Sequence, residues 1–100
     1  MNEEVLEIID NEFLRQFETV IAGEKAQIEY ALQERKIFLT KLIMSDGLQE
    51  QGHGEQFIVD VFKIIEDRNI RLVPTSPEIA KFMRKNRRKY KSLLPVGINI

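Results

Sequence analysis

The chain of 100 residues has no cysteine, no tryptophan and one histidine, His53. Without cysteine there is no disulfide framework, no thiolate-held zinc and no thiol nucleophile. One histidine excludes a histidine-rich centre, so no metal site is expected. No apolar run approaches the roughly 20 residues that span a bilayer. The opening Met1-Asn2-Glu3-Glu4 is acidic where a secretory leader would be basic. These absences predict a soluble chain with no membrane partner. The missing cysteines suit a reducing compartment, so the expected location is cytoplasmic.

What is present fits one globular domain over residues 1–100. Hydrophobic residues make up 43% and charged residues 31%, the balance of a chain that buries one core. Net charge is −1 but unevenly placed. From Glu3 to Glu34 only Arg15 and Lys25 oppose the acids, while Lys81 to Lys91 reads KFMRKNRRKYK with no acid. Such a run reads either as a surface for an anionic partner or as a solvated helical face.

Periodicity divides the chain into an antiparallel meander followed by helices. Phe13 to Ile21 alternates and reads as a strand, with the first ten residues unassigned. Ala22-Gly23-Glu24 is a tight turn. Lys25 to Leu32 places Ala26, Ile28, Tyr30 and Leu32 on one face, the mark of a half-buried strand. After a turn at Gln33-Glu34-Arg35, Lys36 to Met44 reads as a more fully buried strand, broken at Ser45-Asp46-Gly47. Ile58, Val61, Phe62 and Ile65 form a helical stripe within Glu55 to Arg68, and Asn69 is a suitable stop. Ile70 to Val73 is a short strand closed by Pro74. Its crossover helix implies parallel pairing with the earlier strand. Ser76 and Pro77 suit a helix start, and Ile79, Phe82 and Met83 its buried face. Tyr90, Leu93 and Leu94 dock a last short helix. The expected fold class is therefore α/β (α+β).

Between the third strand and the long helix lies Gln49-Glu50-Gln51-Gly52-His53-Gly54. Glycines at a helix start let an anion reach unpaired amides at the positive end of the helix dipole. A plain turn is the simpler use of the same residues. The third glycine of a dinucleotide fingerprint is missing, because Phe57 stands there, and no Gly-Lys-Ser/Thr follows. The pattern Q/R-x-x-G-x-G/A resembles the acyl-CoA pyrophosphate loop of the GNAT N-acetyltransferase superfamily. Arg71-Leu72-Val73-Pro74-Thr75-Ser76-Pro77, then Ala80, Phe82 and Met83, resembles the K-V-V-P-x-C-P segment and following helix of its short, single-domain branch. The similarity runs from about Phe17 to Leu94.

This resemblance implies a GNAT-like fold and transfer of acetyl from acetyl-CoA, as cosubstrate, to an amine acceptor that the sequence does not identify. It implies that Gln49, Gln51, Gly52, His53, Gly54 and Glu55 surround the pyrophosphate, with Lys81, Arg84 and Lys85 near the 3′-phosphate. Third-strand backbone would pair with the pantetheine. Ser76, Tyr90 and His53 are the catalytic candidates. Each has a structural alternative: a helix cap for Ser76, a docked aromatic for Tyr90, an outward loop position for His53. The chain departs from the branch at Gln49-Glu50, where Arg-Gly is usual, and at Lys41-Leu42-Ile43, where His-Thr-Glu is common. It also departs at Ser76, which replaces a cysteine, and at Asn86-Arg87-Arg88-Lys89-Tyr90, where His-Pro-Glu-Tyr is usual. These changes admit a coenzyme A-binding protein that has lost catalysis, and the basic stretch admits a nucleic-acid surface. Near-zero net charge and core-like spacing of the aromatics argue against nucleic acid. An exposed sheet edge would allow a homodimer.

Overall fold

The computed structural model describes residues 6–98. Five strands form one sheet in the order β1-β2-β3-β4-β5: β1 (Ile9–Asn11), β2 (Gln16–Ile21), β3 (Glu24–Gln33), β4 (Lys36–Ile43) and β5 (Arg71–Pro74). β1 to β4 run antiparallel in sequence, and β5 pairs parallel to β4. Between β4 and β5 come α1 (Asp46–Glu50) and α2 (His53–Arg68). After β5 come α3 (Pro77–Lys85), α4 (Arg87–Tyr90) and a 3-10 turn at Lys91–Leu93. This is the expected mixed fold, with the meander, the crossover helix and the parallel pair all in place.

Turn chemistry sets the meander. Ala22 and Gly23 both take positive φ, 52° and 80°, which is the hairpin geometry that matches strand twist. The strand expected from Phe13 begins later, at Gln16. Asn11 accepts the Leu14 N–H through Oδ1, and Arg15 turns at φ 57°, so residues 12–15 form a loop with Phe13 93% exposed. The unassigned first residues supply β1, which returns along β2.

β3 alternates as expected up to Tyr30, but Leu32 lies past the edge of the core and is 49% exposed. β4 is not buried on both faces: Ile37, Leu39 and Leu42 are inside, while Phe38 and Ile43 are only half-buried. A bulge produces this uneven spacing. Tyr30 faces Leu39 and Glu29 faces Lys41, leaving Thr40 as the extra residue. One inserted residue shifts the alternation, so Leu42 rejoins Leu39 on the core side.

The helices cover that side only. Phe57, Ile58, Val61, Phe62 and Ile65 of α2 and Ile79, Phe82 and Met83 of α3 join the buried strand residues in one core cluster. Phe62 meets the rings of Phe82 and Tyr90 at centroid distances of 5.8 and 5.1 Å, both edge-to-face. Such contacts add to the area buried.

Polar ties fix the start of the described chain to α2. Buried Asp60 accepts the Leu6 N–H at 3.2 Å and Gln56 Nε2 at 3.0 Å. At the far end of the helix, Tyr30 donates to Asp10 Oδ1 at 2.5 Å, and Arg68 Nη2 lies 2.7 Å from Asp10 Oδ2 without hydrogen-bond geometry. Burial, and then the bond to the Asp10 carboxylate, push the Tyr30 phenol up to about 12.

Candidate active site

The sheet forks where β5 leaves β4. Their pairing ends at Leu39 opposite Pro74. The Leu39 carbonyl then accepts three donors: Thr75 N at 3.1 Å, Ser76 N at 2.8 Å and Thr75 Oγ1 at 3.0 Å. These bonds swing the chain off the sheet into α3, which starts at Pro77. β4 continues from Thr40 to Ile43 with no β5 partner beside it.

The N-terminus of α2 arrives close to this fork. Ser45 caps α1 by accepting the Leu48 N–H, so the expected break at Ser45-Asp46-Gly47 is in fact a short helix. α1 closes by using the amides of Gln51, bonded to Gly47 O, and Gly52, bonded to Gln49 O. Gly52 turns at φ 85° and starts α2 with no side-chain cap. α2 therefore begins at His53, two residues before the expected Glu55. Its first-turn amides follow a residue that offers them no acceptor. The second glycine has a packing reason: a Cβ on Gly54 would sit 3.3 Å from Met44 Sδ. One glycine serves the turn and the other a close approach, so both lie where bulk is unwelcome.

Fork, helix start and α3 enclose a cleft of about 280 Å³. Its walls are Leu42 of β4, Gln49 of α1, Gly54, Glu55 and Ile58 of α2, and Glu78, Lys81, Phe82 and Lys85 of α3. Gln49 also donates from Nε2 to Met44 O at 3.3 Å, tying α1 to the end of β4. At the mouth, Lys85 Nζ pairs with Glu55 Oε2 at 3.2 Å, both well exposed. Such a pair is weak and easily exchanged for a ligand anion. Lys81 has no ion-pair partner among the described residues.

Of the residues expected around a coenzyme, the structure brings Gln49, Gly54, Glu55, Lys81 and Lys85 together. Gln51, Gly52 and His53 lie in the adjoining junction without lining the cleft, and Arg84 points to a separate hollow with residues 85–89. Ser76 is fully buried; its Oγ accepts the Ile79 N–H at 3.4 Å and donates to Glu78 Oε1 at 3.0 Å, the bonds of a helix cap. Tyr90 packs with Phe62 and Phe82 outside the cleft. Sequence reading missed Glu78. A signal was present, because Glu78, Lys81, Phe82 and Lys85 follow the i, i+3, i+4, i+7 spacing of one helical face. The same spacing leaves Arg84 off that face.

Among the described residues no group of three His, Asp or Glu is placed to hold a metal, and no helix is long and apolar enough to cross a membrane. Forked sheet, crossover helix and cleft define an acyltransferase-type α/β fold. A family model for GCN5-related N-acetyl-transferases matches residues 16–93, and the chain belongs to that family. No curated protein matches it.

Proposed function

We propose that the protein transfers acetyl from acetyl-CoA to a primary amine in the cleft at the fork of β4 and β5. The observation that carries this reading is the meeting of the uncapped α2 N-terminus, Lys81 and Lys85 around one cleft. The first-turn amides of His53, Gly54 and Glu55 would hold the pyrophosphate, supported by the helix dipole. Lys81 and Lys85 would meet the 3′-phosphate, Lys85 leaving Glu55 to do so. The free edge of Thr40–Ile43 would pair with the pantetheine amides as a strand does. Leu42, Ile58 and Phe82 keep water from the thioester.

The protein needs to supply position more than chemistry. The amine attacks the thioester carbonyl directly: a C–N bond forms, the C–S bond breaks, the amine loses a proton and the leaving thiolate gains one. No protein nucleophile is required, which agrees with a Ser76 hydroxyl committed to capping. The apolar stretch Lys41-Leu42-Ile43 favours a second reading, in which the cleft holds coenzyme A without turning it over.

Calorimetric titration of acetyl-CoA tests the site, with a Gly54→Glu variant beside the parent and circular dichroism to check folding. Saturable binding to the parent and none to a folded variant is expected. No binding to the parent at high acetyl-CoA overturns the reading. Binding without acetylation of any amine in a broad panel selects the second one.

A further inference from the structure

The stretch from Lys81 to Lys91 contains more positive charge than a coenzyme would use. It holds seven of the chain's 15 basic residues and none of its 16 acids, and all seven side chains are exposed. Lys81 and Lys85 wall the cleft. Arg84 to Lys89 bend around a second hollow of about 430 Å³, where α3 ends and α4 begins. Lys85 lines both hollows, so the second opens beside the mouth of the first. Coenzyme A brings a diphosphate and one further phosphate, which the α2 amides, Lys81 and Lys85 can meet. Arg88, Lys89 and Lys91 then have no anion assigned to them. Crowded like charges repel, and an anionic partner offsets that repulsion.

We propose that this basic surface docks an acidic acyl carrier protein whose 4′-phosphopantetheine arm enters the adjoining cleft. The path of the arm rests on the acyl-transfer reading above; the docking of the acidic body does not. Pantetheine is the part of coenzyme A that bears the thioester, so one cleft serves both donors. With the carrier as donor, the same C–N bond forms, and the thiol remains on the carrier arm after the C–S bond breaks.

Two observations favour an acidic protein over a nucleic acid. Phe82 and Tyr90 pack with each other and with Phe62, which leaves this surface no aromatic platform for unpaired bases. Outside the stretch, the chain has 16 acids against eight bases. A long, uniformly charged duplex would overlie repelling surface beyond the patch, whereas a compact domain with one acidic face meets the patch alone.

The test is calorimetry at low salt on the whole chain and on an Arg88→Glu/Lys91→Glu variant. The probes are acetyl-CoA, an acidic acyl carrier protein with and without its pantetheine arm, and a short RNA duplex. The arm-bearing carrier should bind the parent saturably, more tightly than the armless form. The variant should bind it at least about tenfold more weakly, with acetyl-CoA affinity within about twofold of the parent. Equal carrier affinity for parent and variant, no carrier binding, or tighter binding of the duplex overturns the proposal. Carrier binding that the variant loses, with no acetyl-CoA binding to either protein, upholds the docking surface and sinks the coenzyme reading.

Discussion

At its C-terminal end α2 is locked. Asn69 takes φ 60° and returns its N–H to Glu66 O, Arg68 reaches Asp10, and Asp10 in turn accepts the Tyr30 hydroxyl. At its N-terminal end the same helix starts from an uncapped glycine, beside a cleft whose lysines are free or weakly paired. Both ends present the unsatisfied groups common to every helix. One end satisfies its polar groups within the chain, and the other leaves them for a ligand. Stability and binding are thereby separated along one element, so substitutions at the two ends should have different readouts.

The largest effect is expected at the locked end. Asp10→Ala strands the Tyr30 hydroxyl and removes the partner of Arg68. Chemical denaturation should show a loss on the order of 2–3 kcal/mol, mostly from the buried phenol because Arg68 is partly exposed. Acetyl-CoA affinity of the folded fraction should stay within about twofold. A large loss of affinity would break the separation.

A pH titration sharpens the same point. Tyr30 has its phenol raised in the folded state to about 12, so the folded protein keeps a proton that the unfolded chain releases near pH 10. The contribution is fully present below about pH 10 and is lost as pH climbs toward about 12, on the order of 2 kcal/mol. In Tyr30→Phe that part of the pH dependence should vanish. An unchanged profile would mean that the phenol is not the group responsible.

At the binding end, Lys81→Ala with Lys85→Ala should weaken acetyl-CoA about tenfold, or roughly 1.4 kcal/mol. The melting temperature should hardly move, because the only ion pair removed is an exposed one. A destabilised double variant with unchanged affinity would reverse the assignment of the two ends. The smallest effect belongs to Ser76→Ala. Loss of a helix cap should cost about 1 kcal/mol of stability, with the acetyl-transfer rate, once an acceptor is found, changed by less than about threefold. A collapse in rate at full stability would make Ser76 catalytic after all.

Much of this was readable along the chain. Gly23 announced the hairpin, alternation from Ala26 to Tyr30 announced a half-buried strand, and Ser76-Pro77 announced a helix start. These are local rules, decided by steric limits on φ and by side chains one or two turns apart. The glycine pair was also legible as a place where bulk is excluded, though α1 was not: five residues with one buried leucine carry too little pattern to stand out. Glu78 was overlooked because attention went to positive charge instead of helical phase. Thr40 gave no warning of a bulge, since an extra residue shows only in the register against its partner strand.

Composition, turn residues and hydrophobic period thus determined by themselves that the chain would be a meander followed by helices, with its positive charge gathered near the end. Only the tertiary structure decided which of those charges face the cleft and which face away. It also decided that Ser76 is buried as a cap, and that Gly54 lies against Met44. The reason is physical. Backbone preference and helical phase act over a few residues, whereas a cleft is made by elements that meet across the fold, here a strand end, a helix start and a second helix brought together by three hydrogen bonds on the carbonyl of Leu39.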